Sequence, residues 1–269
     1  MDTEPAADYP QLFRQMIVRS TEAALRAIDP QAPKLEEEER ERSLYALGLA
    51  LDLPEAWPVA GDLTLTLAPY VEMQGFGVDW VACLERAAAQ ATEQQDLRSL
   101  ARLHLQIGRV HGILDEHAVA EQHLWEGHRI AVEIDDADVQ ARALHRLAQT
   151  AAEAGDFQRA KSLVEQVLPI VPEFSPVKGY CHAILGLAAM RQGDWDLAIQ
   201  WYQHSLRIVT AAGEPRFAAQ AERTLGLAYR YSKQYEKAIV HFKRSLEATA
   251  VLSSSQEYAI AQMEIGVTH

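Results

Sequence analysis

Five histidines lie close together in the sequence, and their side chains are of the type that binds transition metals. They are His104, His111, His117, His123 and His128. Successive members are seven, six, six and five residues apart, whereas two ligands on one helix need a spacing of three or four to reach the same metal. We therefore predict no metal site, and we assign these imidazoles to packing or to the surface.

Nothing in the sequence is typical of an enzyme. The motifs G-x-x-x-x-G-K-[ST], G-x-G-x-x-G, H-E-x-x-H and G-x-S-x-G do not occur. Cys181 and His182 are neighbours, but consecutive helical residues point about 100° apart, so they do not form a thiolate–imidazolium pair unaided. Cys83 and Cys181 are the two cysteines of the chain, and we expect both to be buried, reduced thiols. We predict no catalytic residues and no cofactor.

The composition favours a soluble cytoplasmic protein. The chain has 269 residues, of which 48% are hydrophobic, and a formal net charge of −13. Its acidic start, MDTEPAAD, lacks the basic-then-apolar order of a secretory signal, and no apolar run approaches the roughly 18 residues of a membrane span. The negative charge disfavours binding to anionic membranes or to nucleic-acid phosphates, so we expect neither partner.

The elements that position all these residues are helical hairpins that repeat. Residues 179–215 contain two helical runs around the turn Gln192-Gly193-Asp194, and the first run carries Leu185-Gly186. The same pattern returns forty residues later at Leu225-Gly226. Units begin at residues 101, 141, 179, 219 and 259, with spacings of 40, 38, 40 and 40. Spacing this regular indicates a repeat architecture.

The residue types follow from how two helices pack in a hairpin. Helices approach closely only where small residues meet, which explains Gly or Ala at the eighth position of each unit and Ala at the twentieth. Larger side chains at the seventh, eleventh and twenty-fourth positions then fill the remaining space. The turns Ala154-Gly155-Asp156 and Gln192-Gly193-Asp194 place Gly at a helix end and Asp where it can cap the next helix.

These hairpins predict an all-α fold, a right-handed superhelical solenoid of antiparallel helix pairs. We divide the chain into an N-terminal helical cap over residues 1–60 and repeats over residues 61–269. The repeats comprise a degenerate unit at 61–100, complete units at 101–140, 141–178, 179–218 and 219–258, and a partial unit at 259–269.

The pattern resembles the tetratricopeptide repeat, whose first helix reads W-x-x-L-G-x-x-Y and whose second reads A-x-x-x-F. The unit at 219 matches best, through Leu225-Gly226, Tyr229, Ala238 and Phe242. No unit has the opening Trp, and the period is near 40 rather than 34. The long period is similar to that in the sensor arms of bacterial signal-transducing NTPases and in peptide-sensing regulators, an analogy of architecture.

The resemblance implies a concave inner wall that is formed by the first helix of each hairpin. Of 24 positions on this wall, seven are arginine and one is acidic, so the wall opposes the charge of the whole chain. Arginine forks pair with carboxylates, and apolar residues beside them could hold hydrophobic side chains. The predicted peptide-binding groove consists of Arg102, Arg109, Arg142, His145, Arg146, Gln149, Tyr180, Ile184, Leu187, Arg191, Arg223, Leu227, Arg230 and Tyr231. The alternative is that the arginines are ordinary surface charges paired with neighbouring units.

Two functions follow from this architecture. The first is a non-enzymatic scaffold that holds an acidic protein or peptide segment in the groove. The second is the sensor arm of a larger bacterial signalling NTPase or transcription regulator. The partial last unit leaves Ile260, Met263 and Val267 on a helix without a hairpin partner, so this helix could cap the stack, continue into a longer protein, or pair with a second copy in a homodimer.

Overall fold

The computed structural model of the chain describes residues 9–29, 34–73, 78–251 and 255–268. Over these residues the chain forms thirteen α-helices, a short 3-10 turn at Pro54–Ala56, and no strand. The helices are α1 (Tyr9–Ala27), α2 (Glu37–Ala50), α3 (Trp57–Met73), α4 (Val78–Glu93), α5 (Leu97–Ile113), α6 (His117–Glu133), α7 (Ala137–Glu153), α8 (Phe157–Val167), α9 (Pro176–Arg191), α10 (Trp195–Ala211), α11 (Pro215–Tyr231), α12 (Tyr235–Val251) and α13 (Ser255–Thr268).

The predicted all-α fold of antiparallel helix hairpins is confirmed. Short turns join most helices. Within the two compact units of the chain, residues 1–139 and 140–269, successive helices pack against one another from α1 to α6 and from α8 to α13. No helix within the described ranges is both long and apolar enough to cross a membrane.

The first unit has one continuous apolar core. α1 packs on α2 and α3, and the series continues from α3 through α6. Fully buried members of this core are Leu47, Leu63, Leu67, Leu84, Leu103 and Ile107. The expected start of the repeats at residue 61 lies inside α3, which begins at Trp57, and the division into cap and repeats stays a prediction.

The turns between helices have the chemistry expected from the sequence. Gly155 and Gly193 adopt positive φ angles of 84° and 80°. The Asp156 side chain accepts a hydrogen bond from the Arg159 amide, and the Asp194 side chain accepts one from the Leu197 amide. Other turns place non-glycine residues in the same left-handed region, at Gln95, Asp115, Asp135 and Lys233. The predicted Gly ends and Asp caps are therefore confirmed, and glycine is not required at every turn.

Close helix contact in the second unit depends on glycine facing an aromatic ring. A Cβ atom added at Gly186 would lie 2.8 Å from the Tyr202 ring, and one added at Gly226 would lie 2.6 Å from the Phe242 ring. Both rings are buried, in a core that also contains Ala198. In the units at 179 and 219 the small eighth position therefore packs against the large ring at the twenty-fourth position, whereas the sequence pattern led us to expect the small twentieth position there.

Candidate functional site

The second unit contains a cleft of about 370 Å³ between the first helices of its hairpins. Ring and aliphatic side chains from α9 and α11 form much of its surface, and α7 supplies polar groups. Part of α10 lies at its base. The lining residues are His145, Arg146, Gln149, Ala152, Glu153, Tyr180, Ala183, Ile184, Leu187, Met190, Tyr202, Ser205, Val209, Phe217, Gln220, Ala221, Arg223, Thr224 and Leu227.

Eight of the residues predicted for the groove line this one cleft. The repeat register explains their convergence, because equivalent positions of successive first helices fall on the same side of the stack. These eight are His145, Arg146, Gln149, Tyr180, Ile184, Leu187, Arg223 and Leu227.

Sequence reasoning missed two parts of the lining. One part comes from α10, the second helix of its hairpin, and consists of Tyr202, Ser205 and Val209. The prediction used positions of first helices only, so it could not include them. Phe217 comes from the first turn of α11, ahead of the positions that the prediction covers. Its signal is present in the sequence, because Phe217 lies three and seven residues before the inner-wall residues Gln220 and Thr224 and so shares their helix face.

Arg146 and Arg223 bring two guanidinium groups to a cleft whose lining contains one carboxylate, that of Glu153. Arg146 Nη1 donates a hydrogen bond to Gln149 Oε1 over 2.9 Å, and Gln149 Nε2 donates to Glu153 Oε1 over 2.9 Å. Over the described part of the chain, neither arginine forms an ion pair. Burial lowers the pKa of the Arg146 guanidinium and the charge of Arg142 lowers it further, while the charges of Tyr180 and Glu153 oppose this effect. Since Glu153 is the one carboxylate in the lining against two guanidinium groups, the cleft keeps a net positive charge.

Three rings form one end of the cleft. The His145 and Tyr180 ring centroids are 5.4 Å apart, and those of Tyr180 and Phe217 are 4.1 Å apart. Burial lowers the pKa of His145 to about 3, assisted by the charges of Arg146 and Arg142, so this imidazole is neutral near pH 7. Burial also raises the pKa of Tyr180, and the adjacent Glu214 raises it further. The three rings of this end of the cleft are thus uncharged, and the carboxylate of Glu214 lies beside them.

Several other predicted groove arginines are neutralised by carboxylates of their own unit. In the first unit, Arg102 lies 4.0 Å from Asp136, and Arg109 forms an ion pair with Glu72. In the second unit, Arg230 Nη1 lies 2.5 Å from Glu264 Oε2, with side-chain exposures of 19% and 13%. These three guanidinium groups are already paired, which makes them poorer anchors for an external anion.

The remaining predicted groove residues lie outside the lining of the cleft. Arg191 is exposed near the end of α9, and Arg142 is exposed on α7. The Tyr231 ring is half-exposed and stacks on the Trp195 ring, with centroids 5.3 Å apart.

The histidine cluster lies between α5 and α6. His104 Nδ1 lies 3.0 Å from His123 Nδ1, and the His111 and His123 rings are stacked. His111 Nδ1 also lies 2.5 Å from Glu116 Oε2. Among the described residues there is no group of three or more side chains placed to hold a metal ion.

Comparison with known proteins adds the family. A family model described as tetratricopeptide repeat matches residues 99–173 and 181–250, more than half of the chain. The chain belongs to the tetratricopeptide repeat family. None of the curated proteins matches it in sequence.

Solved structures of other proteins share the fold. BtubC from P. vanneervenii is 18% identical with a TM-score of 0.62, over 90% of this chain and 92% of that protein. A Signal Transduction ATPase with Numerous Domains from Pyrococcus horikoshii, which has a tetratricopeptide repeat sensor, is 15% identical with a TM-score of 0.60, over 96% of this chain and 43% of that protein. Aspartyl phosphate phosphatase F from Bacillus subtilis is 15% identical with a TM-score of 0.56, over 100% of this chain and 71% of that protein. At these identities the likeness establishes the architecture of the tetratricopeptide repeat.

Proposed function

We propose that this tetratricopeptide repeat protein binds an acidic segment of a partner protein in the cleft of its second unit. The family as a whole supplies protein-interaction scaffolds, and its fold is generally not catalytic. The narrower proposal, an anionic segment at one site, depends on the residues of the cleft.

The observation that carries the proposal is the pair of guanidinium groups from Arg146 and Arg223. Taking a cation out of water is costly unless an anion accompanies it, and Arg146 is sufficiently buried for its pKa to fall. A carboxylate from a ligand would accept charge-assisted hydrogen bonds from a guanidinium fork, and bonds of this kind are short and strong. Because the lining has two guanidinium groups and one carboxylate, Glu153, a ligand carboxylate would offset the remaining positive charge.

The apolar lining supports a peptide rather than a bare anion. Ile184, Leu187 and Leu227 lie in the same cleft as the arginines, and the ring of Tyr180 closes one end. Hydrophobic side chains of a bound segment would remove this surface from water at about 25 cal/mol per Å². The arginines would then orient the segment, and the apolar contacts would supply affinity.

A peptide library tests the proposal without knowledge of the natural partner. Phage displaying random seven-residue peptides would be selected on the wild-type protein and on the Arg146→Glu/Arg223→Glu variant. We expect acidic sequences to be enriched on the wild type only. Equal enrichment of acidic peptides on both proteins, or no preference for acidic peptides on the wild type, would contradict the proposal.

A second function, the sensor arm of a larger signalling protein, has one supporting observation. On α13, Met263 and Val267 are 59% and 69% exposed, so an apolar strip of that helix is uncovered within the described residues. A further domain or a second copy of the chain would cover it. A reading frame that joins this chain to a nucleotide-binding domain favours the sensor arm. Light scattering of Met263→Glu beside the wild type tests the homodimer, whose mass this change would halve.

A further inference from the structure

We infer that the cleft selects a segment with a single carboxylate between two apolar side chains, and that it rejects runs of acidic residues. This inference rests on the proposed function and specifies the ligand class of the same site. It follows from the order of aromatic, cationic, aliphatic and acidic groups along the cleft.

The cleft has apolar groups at both of its ends. At one end the His145, Tyr180 and Phe217 rings contact one another in series. At the other end lie Leu187 and Met190, on the same helix as Tyr180 and seven and ten residues after it. With a rise of 1.5 Å per helical residue, the two ends are about 10–15 Å apart.

The guanidinium groups lie between these ends. Arg146 follows His145 directly and hydrogen-bonds to Gln149, so its charge lies just past the aromatic end. Arg223 is the fifth residue of its unit and is equivalent to Ala183 on α9, which lies between Tyr180 and Leu187. A ligand carboxylate would therefore be held near the middle of the cleft.

Two fixed carboxylates make further negative charge unfavourable. Glu153 lines the cleft at the C-terminal end of α7 and accepts a hydrogen bond from Gln149. Glu214 lies beside Tyr180 at the aromatic end, outside the lining, and its charge raises the pKa of that phenol. Glu153 is exposed and Glu214 is half-buried, so an acidic ligand side chain at either end would meet a like charge that solvent screens in part. The ends therefore favour uncharged, apolar side chains.

An extended peptide has the spacing that this order requires. Alternate residues of a strand point to the same side, and five residues span about 13 Å. The first and fifth side chains would then reach the apolar ends while the third reaches the arginines.

Fluorescence anisotropy with end-capped synthetic peptides tests the inference. The probe is fluorescein-labelled Phe-Ser-Glu-Ser-Leu, made also in reverse order because the direction of binding is open. The comparison peptides replace Glu with Gln, or read Glu-Ser-Glu-Ser-Glu. We expect at least one order of the single-acid peptide to bind the wild type tenfold or more tightly than both comparison peptides. Equal or tighter binding of the triple-acid peptide would overturn the inference and leave the proposed function standing.

Variants of the protein test whether individual charged side chains of the cleft, and not the fold as a whole, determine which peptide binds. Glu153→Gln/Glu214→Gln should raise affinity for the triple-acid peptide at least fivefold, because the repelling charges are gone. Arg146→Gln/Arg223→Gln should lower affinity for the single-acid peptide to that of its Gln form. Arg244→Gln, an exposed arginine on α12, is the matched control and should change nothing. If Glu153→Gln/Glu214→Gln still prefers the single-acid peptide as strongly as the wild type does, the inference is wrong. If no peptide binds specifically and the phage library shows no acidic preference, the proposed function is wrong as well.

Discussion

Arg146 Nη1 donates its hydrogen bond to Gln149 Oε1, a neutral amide one turn along α7, over 2.9 Å. The Gln149 amide in turn donates to Glu153, so the carboxylate is reached only through an intermediate side chain. A guanidinium placed in this way keeps most of its capacity to bind an anion. It also imposes a desolvation cost on the folded protein, since burial lowers its pKa.

Replacing this arginine should therefore stabilise the protein while it weakens binding. We expect Arg146→Met to raise the free energy of unfolding by about 0.5–1 kcal/mol, because an unpaired, partly buried charge is removed. Arg230→Met is the matched comparison, because it breaks the pair with Glu264 and leaves that carboxylate alone, at a cost of about 1–3 kcal/mol. Urea unfolding measures both values. Clear destabilisation by Arg146→Met would show that its guanidinium is already well satisfied.

The glycine-to-ring contacts should tolerate no added methyl group. Gly226→Ala places a Cβ atom 2.6 Å from the Phe242 ring, and overpacking of this kind typically costs about 1–3 kcal/mol. Gly266 on α13 has nothing within 4 Å of an added Cβ, so Gly266→Ala should be neutral or stabilise by up to about 1 kcal/mol. Thermal unfolding of the two variants compares them directly. Equal melting temperatures would contradict the proposed packing.

The histidines between α5 and α6 should make stability depend on pH. Burial lowers the pKa of His104 to about 4, with help from His123, so the folded protein binds this proton less readily than the unfolded chain, whose pKa is near 6.5. The stabilising effect is present above pH 6.5 and is lost as the pH falls from 6.5 towards 4.

Because the His104 ring is partly exposed, we expect a loss of about 1–2 kcal/mol between pH 7.5 and pH 5. The measurement is urea unfolding at both pH values. His104→Gln should reduce this pH dependence. A wild type as stable at pH 5 as at pH 7.5 would be inconsistent with the buried neutral imidazoles.

Both cysteines should be unreactive in the folded protein, although only Cys181 is buried as expected and Cys83 is half-buried. Burial raises the pKa of Cys83 to about 11 and that of Cys181 to about 12, so the thiolate population at pH 8 is very small. Iodoacetamide labelling followed by mass spectrometry should modify both residues in urea and neither in buffer within the same time. Rapid labelling of Cys181 without urea would mean that α9 opens readily.

The repeat period was sufficient to predict the hairpins and much of the cleft. The recurring small residue at position eight predicts a close approach of the two helices of a hairpin, and the structure shows that Gly186 meets the Tyr202 ring of position twenty-four there. The same register brings His145, Tyr180 and Leu227 into one cleft. These relationships are local to one hairpin or its neighbour, which is why a single sequence reveals them.

The charge partners could not be predicted in this way. Glu72 and Glu264, which neutralise Arg109 and Arg230, lie 37 and 34 residues from their partners. Glu72 belongs to a helix where the repeat pattern is degenerate, and Glu264 to the partial last unit. The number of arginines on the predicted inner wall therefore overstated the positive charge that is available to a ligand. The side-chain contacts of the structure are needed to distinguish Arg146 and Arg223 from the arginines that are already paired.

The most direct test of the central claim is to map where a bound segment lies. A Phe-Ser-Glu-Ser-Leu peptide with benzophenone in place of the Phe ring would be photo-crosslinked to the wild-type protein, and the attachment sites read by mass spectrometry. We predict attachment within α7, α9 and α11, at residues that line the cleft, and its loss in Arg146→Gln/Arg223→Gln. Attachment to the exposed surface of α8 or α12, undiminished in that variant, would contradict the account.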